Sequence, residues 1–141
     1  MNIISITFNK INAEKKGIPK GKISVNNNVR IESMEETKIG LDKTKTTIRL
    51  SFSFDTKYSP DFADMSIQGE ALILDDAKTA KALLDKWKKN KEVDKAIALS
   101  VMNNIMAKCS LEAILMAREL GLPSPIPLPR IKEAEQKPAK A

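Results

Sequence analysis

The chain contains no histidine and a single cysteine, Cys109, among its 141 residues. An intramolecular disulfide is therefore excluded, and so is a zinc site assembled from Cys and His. Ser-His-Asp and Cys-His catalysis fall away with the same absence. Glycine is sparse, at five residues, and no GxGxxG or GxxxxGKS/T run exists to cradle phosphate, so nucleotide binding through such loops has no support. Aromatic residues make up 4%, with no set spaced for stacking on bases. No apolar run approaches the ~20 residues of a membrane span, and no basic-then-apolar stretch opens the chain. The expectation is a soluble, cytoplasmic protein without membrane insertion, metal or other cofactor, and not an enzyme.

Hydrophobic residues at 42% and charged ones at 30% are enough to fold one domain of this length. The net charge of +6 suits an anionic partner or a lysine-rich solvated surface. Arginine, which reads bases and phosphates in a bidentate way, occurs only at Arg30, Arg49, Arg118 and Arg130. The densest basic stretch, Lys78 to Lys95, is interleaved with Asp85, Glu92 and Asp94, the pattern of a solvated helix face. Binding of nucleic acid through that face is the alternative function, with the weight of the composition against it. Two carboxylate pairs, Glu35-Glu36 and Asp75-Asp76, read as a turn or loop and a helix cap rather than an acid-base couple. Cys109 reads as a small core residue.

Alternation of apolar and polar residues predicts four strands. Ile4, Ile6 and Phe8 share one face before Ile11 and Ala13 change phase, which implies a bulge near Asn9. Ile23, Val25, Val29 and Ile31 form a second strand, with any interruption expected at Asn26 to Asn28. Turns are expected at Leu41 to Thr44 and Tyr58 to Asp61. Between them, Ile48, Leu50, Phe52 and Phe54 give the clearest strand, and Met65, Ile67, Gly69, Ala71 and Ile73 give a fourth. Helical spacing follows, first over Ala77 to Lys89 and then over Val93 to Leu120. The long segment carries two apolar stripes, Val93, Ile97, Val101 and Ile105 in one and Ala98, Met102, Met106 and Cys109 in the other, with Cys109-Ser110 as a point where it could kink. Gly121 and Pro123 end it. Prolines 123, 125, 127 and 129 then predict a stiff, extended strip over 121–131, and 132–141 lacks large apolar groups and reads as a disordered charged tail. Strands followed by helices, without alternation, argue for an α+β domain over 1–131: a four-stranded antiparallel sheet at about 2–74, then a short and a long helix at about 76–120.

This order of parts resembles the SecB family of export chaperones. The resemblance rests on the run ARELGLPSPIPLPRI at 117–131, on Ile48 to Phe54 and on the Met65 to Gly69 segment, and it spans about residues 2–131. It implies an ATP-independent holdase that binds unfolded or precursor polypeptides in apolar grooves, in a homo-oligomer built as a dimer of dimers. Carried over residue by residue, it implies peptide contacts from Phe52, Phe54, Met65, Ile67, Leu122, Ile126 and Leu128. It also implies a subunit interface from Ile97, Val101, Ile105, Leu111 and Leu115. The chain departs from the family's usual acidity, has Ser66 near the place of a motor-docking carboxylate, and is expected to run into the charged 132–141 stretch where the family carries a further short helix.

Overall fold

The computed structural model describes residues 2–18, 21–37, 44–93 and 95–127. Four strands, β1 (Asn2–Lys15), β2 (Ser24–Thr37), β3 (Lys45–Ser59) and β4 (Ala63–Asp76), precede two helices, α1 (Ala77–Asn90) and α2 (Lys95–Leu120). The strands form one antiparallel sheet in the order β1-β4-β3-β2. The α+β architecture expected from the patterning is therefore the one observed. Leu41 to Lys43 of the first expected turn, Leu128 and the 132–141 tail lie outside the described residues.

The core face of the sheet is set by the alternation. Ile48, Leu50, Phe52 and Phe54 of β3 and Met65, Ile67, Ala71 and Ile73 of β4 are buried, while the facing parity, from Arg49 to Lys57 and Asp64 to Glu70, is polar. In β1 the register slips between Phe8 and Lys10, the bulge expected near Asn9, and again between Ile3 and Ser5. β2 runs unbroken through Asn26 to Asn28, because each pairs with β3, and bulges instead at Glu32, between Ile31 and Ser33. Gly69 sits opposite both Phe8 and Phe52. A Cβ there would meet Phe52 Cζ at 2.7 Å and crowd the Thr7 carbonyl, so the glycine admits aromatic packing across the sheet.

β4 passes directly into α1. No side chain caps the helix at Asp76, contrary to the reading of Asp75-Asp76. Asp75 Oδ1 instead accepts the Asp76 amide at 2.8 Å, and the Thr44 carbonyl accepts the Ala77 amide at 3.1 Å. α1 buries Ala80, Leu83, Leu84 and Trp87. It ends at Lys91 in the left-handed conformation, φ 56°, whose amide returns to the Trp87 carbonyl at 2.8 Å.

α2 is continuous through Cys109-Ser110. Its buried line is Val101, Ile105, Cys109, Ala113 and Ala117, at a spacing of four, which joins members of both stripes into one face against the sheet. Among the described residues no second layer covers the other side: Leu99, Leu111 and Leu115 are 65%, 67% and 54% exposed. Lys108 fixes the helix along β1, with its ammonium 5.3 Å from the Phe8 ring centroid and donating to the Ile6 carbonyl. No described helix is long and apolar enough to cross a membrane.

Candidate functional site

The proline strip turns back over the sheet rather than extending from it. Leu122 and Pro125 are buried. The Tyr58 hydroxyl donates to the Pro123 carbonyl. Asn27 Nδ2 donates to the Pro125 carbonyl at 3.0 Å, and Asn27 Oδ1 accepts the Thr56 hydroxyl at 2.7 Å. The chain bends at Pro125-Ile126, where Ser124 Oγ takes the Ile126 amide at 3.3 Å. The stiff rod expected from four prolines is thus replaced, over the described residues, by a bent arm latched to β2 and β3. Burial pushes the Tyr58 hydroxyl up to about 12, which keeps it a donor at any ordinary pH.

The residues expected to contact a polypeptide fall in three environments. Phe52, Phe54, Met65 and Ile67 are at most 2% exposed and belong to the buried core, although Met65 also lines, with Asn12, Thr56 and Asp64, a hollow of about 330 Å³ whose residues are mostly polar. Leu122 is buried under the arm, Ile126 is half-buried on it, and Leu128 lies outside the described residues. The expected interface set divides as well. Val101 and Ile105 face the sheet and are closed off, Ile97 is half-buried, and Leu111 and Leu115 point outward. Leu99 belongs with the outward pair, although its spacing had placed it in neither stripe.

An accessible apolar groove lies elsewhere. At the free margin of the sheet, Val29 and Ile31 of β2 meet Trp87 at the end of α1, Val93 of the link, and Ala98 and Met102 of α2. Together they line a shallow, open depression of about 620 Å³, bordered by Arg30, Glu32 and Lys91. The polar rim is ordered. Ser53 Oγ donates to Glu32 Oε1 at 2.7 Å, and Arg30 reaches Glu32 at 3.5 Å and Asp55 at 3.7 Å. The Lys91 ammonium stands 5.2 Å from the Trp87 ring centroid. A smaller hollow, of about 300 Å³, lies at the other end of α1 between Lys81, Leu84, Lys88, Glu36 and Thr46.

The groove residues escaped the sequence reading because each belongs to an apolar stripe that is mostly core. The usable signal was the start of the second stripe of α2, Ala98 and Met102, which stay partly exposed while Cys109 of the same stripe is buried. Chemically the site offers a long apolar floor, a strand margin with backbone groups unclaimed by another described strand, and a charged rim. Cys109, the one thiol, is buried outside this site, and burial pushes its pKa up to about 11 against a small opposing effect of Lys108.

Neither known family models nor curated proteins match the sequence. Among solved structures, the chain is similar to the SecB-like chaperone Rv1957 of Mycobacterium tuberculosis, solved in complex with a ChAD peptide from the Rv1956 HigA1 antitoxin. The TM-score is 0.55 at 13% identity, over 94% of this chain and 91% of that one. At that identity the likeness establishes a shared fold.

Proposed function

We propose that the protein is a holdase: it binds extended segments of unfolded polypeptide in the groove between β2, Trp87 and the first turns of α2, without ATP or covalent chemistry. The observation that carries this reading is the apolar groove itself, open along a strand margin that has no described neighbour. A client side chain fully buried there contributes about 1.5–3 kcal/mol, whatever its sequence context. Backbone groups of β2 can pair with an extended client while Val29 and Ile31 receive alternate side chains. The shared fold with a SecB-like chaperone whose structure holds a peptide supports the same class of activity. The outward Leu99, Leu111 and Leu115 of α2 support assembly into a homo-oligomer through that helix, since such leucines are costly to leave in water.

The test is light scattering of a chemically denatured protein diluted into buffer with and without this protein, at 50 mM and 500 mM salt. Suppression of aggregation at near-stoichiometric amounts, retained at high salt, is expected. Scattering unchanged at several-fold excess contradicts the reading, and suppression that vanishes with salt points instead to charge-driven binding through α1.

A further inference from the structure

The cations along α1 and its link to α2 bear on which segments the groove takes. Residues 77–95 carry seven lysines against Asp85, Glu92 and Asp94, so +4 of the chain's +6 sits on this one stretch. Lys91 borders the groove over Trp87. Lys95 shares a helix face with Ala98 and Met102, at spacings of three and seven. Lys81 and Lys88, seven apart, border the hollow at the far end of α1. Among the described residues none of these four lysines has a carboxylate within 4 Å; the ion pairs involve Lys16, Arg30 and Arg49. Glu36 and Asp85 offset Lys81 and Lys88 around the far hollow. At the groove, Glu32 is held by Ser53 and Arg30, and among the described residues no ion pair holds Lys91 or Lys95.

We propose that the groove selects extended segments in which apolar residues are flanked by Asp or Glu, a refinement that rests on the polypeptide-binding reading above. The apolar residues enter against Ile31, Trp87 and Met102, and the flanking carboxylates meet Lys91 and Lys95. Exposed ion pairs each contribute a factor of a few, so two flanking acids give roughly tenfold tighter binding at low salt.

The experiment titrates the full-length protein against three labelled peptides of identical apolar core, flanked by Asp/Glu, by Ser or by Lys, and reads anisotropy at 20 mM and 500 mM salt. The acidic peptide is expected to bind about tenfold tighter than the Ser peptide and the Lys peptide weakest, with the gap closing at high salt. In a Lys91→Glu/Lys95→Glu variant, checked for folding by circular dichroism, the order reverses; Lys91→Gln narrows the gap. Equal affinity for all three peptides, or the Lys peptide binding tightest, overturns the selection and leaves the groove reading standing. Failure of every peptide to bind removes both. Displacement of the acidic peptide by an oligonucleotide at equal concentration also overturns the proposal, because the face would then read polyanions without apolar groups.

Discussion

Gly69 and Cys109 show how single side chains set the packing on which the groove depends. At Gly69, paired with Phe8 and Phe52 on the two neighbouring strands, an added methyl would crowd the Thr7 carbonyl and stand 2.7 Å from the Phe52 ring. Gly69→Ala is expected to cost about 1–3 kcal/mol in urea unfolding, the range for overpacking. Gly17→Ala, with nothing within 4 Å of the new methyl, should move stability by no more than about 0.5 kcal/mol. Equal shifts for the two would contradict the aromatic packing. Cys109 is buried in the line of α2 that meets the sheet, and its thiol is pushed from 9.0 to about 11. Its folded form keeps a proton that the unfolded chain releases, so this group's contribution is complete below pH 9 and is lost as pH rises from 9 through 11. Unfolding free energies of the wild type and Cys109→Ala, measured from pH 8 to 11, should converge over that window. A constant difference would mean that the thiol is not desolvated.

Among the elements, the arm and α2 make the sharper predictions. Asn27 ties the arm to the sheet through Thr56 and Pro125, so Asn27→Ala should lower stability by about 1–2 kcal/mol and speed hydrogen exchange at the Ile126 amide while sheet amides stay protected. Uniform loss of protection would show that the latch is part of the core. On α2, Val101→Asp places an unpaired charge against the sheet and should prevent folding. Leu111→Asp on the outward face should fold and, if α2 pairs subunits, sediment as a smaller species. β3 was legible from its sequence because Ile48 to Phe54 alternate cleanly with polar residues, which only a one-sided strand requires. α2 was legible in its extent but not in its orientation: two apolar stripes meet the same description until the sheet takes members of each, Val101 and Ile105 from one and Cys109 from the other. The bent arm had no local signal, since the bond that holds it joins Asn27 to Pro125 across most of the chain. The groove was hidden for a related reason, because Val29, Ile31 and Trp87 look like core residues and become a site only where the sheet ends.

At the scale of the whole molecule, a polar sheet face, a leucine-bearing outer helix and a lysine-rich margin divide the surface into chemically distinct regions. The central claim is that the margin groove, and not the core aromatics, receives polypeptide. Trp87 is the chain's one tryptophan and lines that groove, so its emission reports occupancy without any label. The direct measurement is Trp87 fluorescence during titration with a permanently unfolded, tryptophan-free polypeptide, in the wild type and in Ile31→Asp, which places a charge at the groove's exposed strand margin. The account predicts a saturable change in Trp87 emission that needs at least about tenfold more polypeptide in the variant, consistent with loss of one buried aliphatic contact. Emission that stays constant while the polypeptide demonstrably binds would place the binding surface elsewhere and contradict the account.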